Sequence, residues 1–211
     1  LVRCAPENFL GRLAALLKDS PALHFRARDA PLLAGLYTAF GPAPLGWQAA
    51  SLLANLAAAW AGALILAEYG VGPRAAALGA VFALSYPNKD AVLFWPMSVI
   101  IPASWALFLL ATLAHLDWVK RGRKASLAAS ALLVVLSLSL YDQSMFQFLA
   151  WLALPERAEG EARGRSRTGL AAAAAAVGAV LFYRLVFVRL VFGLAYNKQF
   201  VLSPLNAAVV A

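Results

Sequence analysis

Charged residues are scarce in this chain, and cysteine and histidine are almost absent. Only 13% of its 211 residues are Asp, Glu, Lys or Arg, whereas 63% are hydrophobic. A water-soluble domain of this length could not cover so much apolar surface with so few charges. The single cysteine, Cys4, excludes an internal disulfide and a cysteine-rich metal site. Because His24 and His115 are far apart in sequence, a histidine-based metal site is poorly supported as well.

What the chain has instead is a series of long apolar segments separated by short charged hinges, with a mean hydropathy of +0.73. An α-helix needs roughly 20 apolar residues to cross the hydrocarbon core of a bilayer, and several segments approach or exceed that length. We therefore predict an all-α fold, a polytopic transmembrane helix bundle with about six crossings. The predicted crossings are residues 47–68, 74–86, a third that ends at Trp118, and residues 125–140, 145–154 and 169–196.

Residues 1–44 are the least apolar part of the chain. Asn8 can cap a helix from Phe9 to Lys18, and a second short helix is predicted from Ala30 to Phe40, before a turn at 41–44. Both helices are too short to cross a bilayer, so we expect them to lie along its interface. We therefore divide the chain into three regions: an outer-face loop with interfacial helices (1–44), the helix bundle (45–196) and the start of a further outer segment (197–211). The chain begins at Leu1, and we expect it to be a piece of a longer polytopic protein.

The net charge of +8 is concentrated in alternate hinges. Arg74, the hinge 120–124 and a polar loop predicted at 155–168 carry half of the 18 cations. The positive-inside rule places these hinges in the cytoplasm, and it places residues 1–44, 87–90, 141–144 and 197–199 outside. Anionic membrane lipids therefore explain the basic charge better than nucleic acid does.

Three blocks of sequence resemble those of one group of membrane enzymes. They occur in the same order and spacing as blocks of large bacterial membrane proteins of the GT-C glycosyltransferase superfamily, including those with appended tetratricopeptide repeats. The resemblance covers roughly residues 5 to 155. The blocks are His24-Phe25-Arg26-Ala27 through Phe40-Gly41-Pro42-Ala43-Pro44-Leu45-Gly46-Trp47-Gln48 to Asn55-Leu56, then Phe82-Ala83-Leu84-Ser85-Tyr86-Pro87 through Asp90-Ala91-Val92 to Trp95, and Leu138-Ser139-Leu140-Tyr141-Asp142-Gln143-Ser144.

The resemblance implies a multi-pass enzyme of the bacterial cytoplasmic (inner) membrane. It would move a sugar from a polyprenyl-phosphate donor to an acceptor on the outer face. Similar proteins usually carry an acidic residue or an acidic pair in the first outer loop, and the corresponding position here is Glu7-Asn8. Glu7 keeps one carboxylate, whereas Asn8 stands in place of the second.

The chemistry of sugar transfer assigns roles to the charged residues on the outer side. The acceptor hydroxyl must lose a proton as it attacks the anomeric carbon, and Glu7 is the candidate catalytic base. Charge that develops on the leaving phosphate needs a cation or a metal ion. Arg26 and Arg184 are the candidate donor phosphate-binding residues, because a guanidinium group binds phosphate oxygens bidentately.

The remaining candidates lie in two predicted outer hinges. Asp90, Asp142 and Gln143 are predicted to shape the pocket for the sugar or the acceptor. Asp90 and Asp142 could hold a divalent cation, although no metal-ligand spacing requires one, and the cofactor therefore stays unknown. Structural alternatives exist: Asp90 suits a helix N-cap, and Asp142 suits an exposed turn.

The other candidates also have structural alternatives. Glu7 can be a solvated loop carboxylate, and Arg26 can extend toward lipid headgroups. Arg184 lies within the last apolar segment, where a cation usually faces a partner or a polar cavity. His115, with Asp117 and Trp118, precedes a basic cluster and is interpreted as part of an interfacial anchor.

Two function classes therefore stay open. The first is a GT-C-like glycosyltransferase whose partners are a lipid-linked sugar donor, membrane lipids and further domains or subunits. The second is a non-catalytic polytopic membrane protein, such as a transporter segment or a structural subunit of a membrane complex, on a similar scaffold. Transporters more often contain internal repeats and helices broken at the midplane, and no convincing repeat is present here.

Overall fold

The computed structural model describes residues 8–19, 29–85, 99–141, 151, 160–183, 186 and 190. Within these ranges the chain forms seven α-helices and no β-strand, which confirms the predicted all-α class. The helices are α1 (Phe9–Asp19), α2 (Asp29–Phe40), α3 (Pro44–Glu68), α4 (Pro73–Ser85), α5 (Ile100–Arg121), α6 (Lys124–Leu140) and α7 (Glu161–Phe182).

The helix boundaries follow local signals in the sequence. Asn8 caps α1 as predicted, because its Oδ1 accepts a hydrogen bond of 2.7 Å from the backbone N–H of Gly11. Gly41 adopts a φ of 57° after α2, a conformation that favours glycine, and the chain turns there into α3. Pro44 then opens α3 in its first turn, where a missing N–H costs nothing.

Two of the described helices, α3 and α5, are long and apolar enough to cross a membrane. They contain 25 and 22 residues, and a rise of 1.5 Å per residue gives them lengths of about 37 and 33 Å. The apolar helices α4 and α6 are shorter, at 13 and 17 residues. Only 22% of the most apolar window of α3 is buried, against 50% of that of α5. The surface of α3 is therefore mainly outward-facing and apolar.

The C-terminal ends of α3 and α5 lie together with the first turns of α7. Lys120 forms an ion pair with Glu68, the last residue of α3. Arg165 of α7 donates from Nε to the carbonyl of Val119 at 3.0 Å, and its own carbonyl accepts a 2.8 Å bond from Trp118 Nε1. We call this end of the bundle, defined by Glu68–Arg74, Asp117–Lys124 and Glu161–Arg167, the basic end.

A hydrophobic cluster joins the helices at the opposite end. Leu33 of α2 packs with Trp47 at the start of α3 and with Ile100 at the start of α5. Leu140, the last residue of α6, packs against the same cluster. A second cluster in the middle of the bundle joins α5, α6 and α7, and it consists of Phe108, Ala111, Val134, Leu138, Trp151, Ala173, Ala176, Val177 and Val180.

The polar loop predicted to extend to Thr168 is wrong, because α7 already begins at Glu161. Arg165 is held against α5, and a further contact of 3.3 Å joins it to the carboxylate of Glu161, one turn away. Ser166 is buried in the same turn. Arginine and alanine favour helix, so charge alone does not indicate a loop. The predicted crossing 145–154, apart from Trp151, and the segment 197–211 lie outside the described residues.

Candidate functional site

An open groove with a volume of about 680 Å³ lies between α3, α4 and α5. Residues from Asn55 to Leu66 of α3 line its length, which corresponds to about 16 Å along the helix. Small residues one turn apart on two helices leave the space: Ala58 and Gly62 on α3, and Gly79 and Ala83 on α4. The larger side chains that line the groove are Ile65, Leu66, Phe82, Ile101, Pro102, Trp105 and Leu109.

The lining of this groove is almost entirely hydrocarbon. Among the lining residues, only Asn55 and Trp105 carry polar side-chain atoms. Asn55 is buried, and its amide donates a 3.0 Å hydrogen bond to the carbonyl of Ser51 in its own helix. A surface of this kind binds an apolar chain through contact area, whereas it offers a sugar few hydrogen bonds.

Small polar side chains hold the helices together in the interior. Ser104 of α5 and Ser137 of α6 each donate to the other's backbone carbonyl, at 3.0 and 2.8 Å, and their hydroxyl oxygens are 3.1 Å apart. Trp151 Nε1 donates to Thr112 Oγ1 at 3.0 Å, and that hydroxyl donates to the carbonyl of Phe108. These bonds satisfy buried polar groups within and between neighbouring elements.

Large apolar side chains, in contrast, cover the outside of the bundle. Seven of them on α3, α4 and α6 are each at least 59% exposed. Buried serines and exposed large apolar residues reverse the usual distribution of a water-soluble protein. The seven exposed residues are Leu45, Leu53, Trp60, Leu78, Val81, Phe82 and Leu132.

His115 is fully buried rather than lying at an interface, which corrects the interpretation drawn from its sequence neighbours. Its ring stacks on Trp151 with 4.2 Å between ring centroids and an interplanar angle of 13°. The ring is also so close to Gly169 of α7 that a Cβ there would lie 2.4 Å from it. Neither ring nitrogen has a hydrogen-bond partner among the described residues, and the same is true of Ser166 Oγ. His115 therefore occupies a slot that only glycine at position 169 leaves open.

All six residues predicted to form the active site lie outside the described residues. They are Glu7, Arg26, Asp90, Asp142, Gln143 and Arg184. Within the described ranges, no three His, Cys, Asp or Glu side chains are grouped so that they could hold a metal ion. Asn8, which stands beside Glu7 in sequence, is described, and its side chain serves as the cap of α1.

Described residues near several of these six positions lie at the end opposite the basic end. Arg12 of α1 donates a 2.9 Å hydrogen bond to the carbonyl of Tyr37 in α2. The cluster of Leu33, Ile100 and Leu140 joins α2 to the start of α5 and to the end of α6. Helix α7 begins at the basic end and runs 22 residues away from it. The cluster thus places described neighbours of Asp90 and Asp142 at one end of the bundle, and α7 runs toward that end.

The sequence interpretation missed the groove entirely. The sequence does contain a pattern that is compatible with a groove, namely two pairs of small residues four positions apart. The pairs are Ala58 with Gly62 and Gly79 with Ala83. Such pairs allow helices to approach closely or leave a depression between them. The packing of α5, whose Trp105 and Leu109 form one wall, determines that a groove and not a close helix contact is formed here.

Comparison of the chain with protein-family models, with curated proteins and with solved structures finds no match.

Proposed function

We propose that this chain forms part of a multi-pass membrane enzyme. It transfers a sugar from a polyprenyl-phosphate donor to an acceptor on the extracytoplasmic face of the bacterial cytoplasmic membrane. The observation that carries the proposal is the apolar groove between α3, α4 and α5, since it opens on the outside of a bundle whose outer surface is itself apolar. The type of reaction is inferred from the three sequence blocks that resemble the GT-C superfamily.

The distribution of polarity supports a bilayer around the bundle. The core helix of a soluble protein is mostly buried, whereas α3 exposes most of its apolar length. Lipid tails are as apolar as leucine, so exposed Leu53 and Trp60 cost nothing in that solvent. Helices in lipid are held by close packing and by interhelical hydrogen bonds, as between Ser104 and Ser137.

The groove fits the hydrocarbon part of a lipid-linked donor. Such a donor must keep its phosphate at the interface while its polyprenyl tail lies in the hydrocarbon layer. A groove lined by alanine and glycine, walled by Phe82 and Trp105, offers a tail more contact area than a flat helix surface does. Ile101 and Pro102 line the groove in the first turn of α5, toward the end where the predicted catalytic residues have their neighbours.

The proposed chemistry takes place at that end. Glu7 removes the proton from the acceptor hydroxyl as it attacks the anomeric carbon. Arg26 and Arg184 bind the donor phosphate and stabilise the charge that develops when the glycosidic bond to phosphate breaks. Asp90, Asp142 and Gln143 form hydrogen bonds with the sugar or the acceptor.

Filling the groove tests the proposal. Gly62 lines the groove, and an added Cβ there meets no atom within 4 Å, so a leucine side chain at this position starts in open space. In the full-length protein in nanodiscs, with a radiolabelled polyprenyl-phosphate sugar, we expect Gly62→Leu to raise KM for the donor several-fold. Gly178→Leu is the matched control, because Gly178 of α7 also has open space around it and does not line the groove.

The outcome separates the two function classes. A raised KM for Gly62→Leu alone supports the enzyme and its tail groove. Equal KM values for wild type and Gly62→Leu would show that the donor tail does not bind in the groove. No sugar transfer by the folded wild-type protein with any polyprenyl-phosphate sugar would favour the non-catalytic scaffold.

A further inference from the structure

The basic end of the bundle carries a large excess of positive charge. Its described residues include eight cations and three carboxylates, a net charge of +5. The carboxylates are Glu68, Asp117 and Glu161, and the cations are Arg74, Lys120, Arg121, Arg123, Lys124, Arg163, Arg165 and Arg167.

Four of these eight cations form ion pairs within the protein. Lys120 pairs with Glu68, Arg121 and, more distantly, Arg123 pair with Asp117, and Arg165 pairs with Glu161. Ser126 Oγ donates a further hydrogen bond to Asp117. The pair of Lys120 with Glu68 joins α5 to α3, the bond from Ser126 joins α6 to α5, and together these contacts use all three carboxylates.

The other four cations form no ion pair with any described residue and are exposed. Arg74 lies in the first turn of α4, Lys124 opens α6, and Arg163 and Arg167 lie one turn apart on α7. Residues four positions apart lie on the same face of a helix, so Arg163 and Arg167 can both contact the same ligand. The α5–α6 hinge is adjacent, since a Cβ on Gly122 would lie 3.2 Å from an Arg165 guanidinium nitrogen.

The same end gathers the N-termini of three helices. Helices α4, α6 and α7 all begin here, and neither the residue before α6 nor the residue before α7 provides a side-chain cap. Unbonded N–H groups at a helix start carry partial positive charge that adds to the field of the side chains. Exposed cations and helix starts together attract anions.

We propose that the four exposed cations of the basic end, which form no ion pair with a described residue, bind the phosphate groups of anionic phospholipids at the membrane–water interface. The proposal rests on the membrane location argued above, and it adds a lipid site on the face opposite the sugar-transfer site. Phospholipid headgroups are favoured over nucleic acid, because the cations border an outward-facing apolar surface that the acyl chains of the same lipid can cover.

The test measures stabilisation of the full-length protein in neutral detergent by added lipid. Phosphatidylglycerol should raise the unfolding midpoint in a saturable way, since a ligand that binds only the folded state stabilises it. Phosphatidylcholine, which has a phosphate but no net charge, and soluble glycerol phosphate, which has no acyl chains, should not. A Lys or Arg near an anionic surface strengthens binding by about 5-fold, so removing two should raise the half-saturating lipid concentration roughly 30-fold.

The variant for this comparison is Arg163→Gln with Arg167→Gln, and Arg163→Lys with Arg167→Lys is its charge-preserving control. The lysine variant should stay close to wild type. An equal response of wild type to phosphatidylglycerol and phosphatidylcholine, or an unchanged response of the glutamine variant, overturns the proposal. If the glutamine variant does not fold, salt titration of wild type decides, since about 1 M salt reduces the screening length to about 3 Å and should remove the preference. Sugar transfer, assayed separately, reports on the proposed function alone.

Discussion

The slot around His115 allows a prediction in which one substitution has opposite effects at two glycines of the same helix. Gly169 and Gly178 both lie in α7. Glycine in a helix interior is less favourable than alanine by up to about 1 kcal/mol, so Gly→Ala ordinarily stabilises a helix. At Gly178 an added Cβ meets nothing within 4 Å, and Gly178→Ala should follow that rule.

At Gly169 the added Cβ would lie 2.4 Å from Cε1 and Nδ1 of His115. Trp151 stacks on this ring with 4.2 Å between centroids and restricts its movement. Either the stack or the contact between α5 and α7 must move by about 1 Å, and overpacking of this kind typically costs ~1–3 kcal/mol. We expect Gly169→Ala to lose about 2 kcal/mol despite the gain in helix propensity.

Thermal unfolding of the full-length protein in detergent measures both effects. In a domain of this size, 1 kcal/mol shifts Tm by about 2–4 °C, so Gly169→Ala should lower Tm by about 4–8 °C and Gly178→Ala should raise it slightly. Combining Gly169→Ala with His115→Ala removes the clash, and the double variant should lose less than the sum of the two single losses. Stabilisation by Gly169→Ala, or strict additivity in the double variant, would refute this account of the slot.

Two other substitutions test the contacts that position the helices. Ser104→Ala and Ser137→Ala should each destabilise the bundle by about 1 kcal/mol, and a double-mutant cycle in thermal unfolding should show coupling, because each hydroxyl bonds to the partner residue; additive losses would contradict the pairing. Asn8→Ala should remove the cap of α1 at a cost of about 1 kcal/mol. Hydrogen exchange should then accelerate in the first turn of α1 and not in α3, and unchanged exchange would refute the cap.

The helices were predictable from the sequence where local chemistry determines them. The predicted cap at Asn8 and the predicted turn at 41–44 gave boundaries that agree with the structure within a few residues. The start of α7 could not be found in this way. Charges between Glu161 and Arg167 indicated a loop, and their helical state depends on contacts of Arg165 with a segment 46 positions earlier in the sequence.

Part of the candidate site could likewise be predicted from the sequence, and part of it could not. The charged residues proposed for catalysis can be named from sequence because sugar transfer requires a base and a phosphate-binding cation. The groove depends on which faces of α3, α4 and α5 meet, and alanine and glycine carry no chemistry that would mark it in advance. The burial of His115 was equally hidden, since its neighbours Asp117 and Trp118 do lie at the helix end and bond there.

Sugar transfer itself is the most direct test of the central claim. The full-length protein, reconstituted in nanodiscs with a radiolabelled polyprenyl-phosphate sugar and acceptor-containing membrane extract, should release the label from the lipid into the acceptor fraction. Glu7→Gln keeps the size of the side chain and removes the base, and it should reduce the rate by about 10²-fold or more while donor binding is retained. Equal rates for wild type and Glu7→Gln, or no transfer by a folded wild-type protein that binds the donor, would contradict the account.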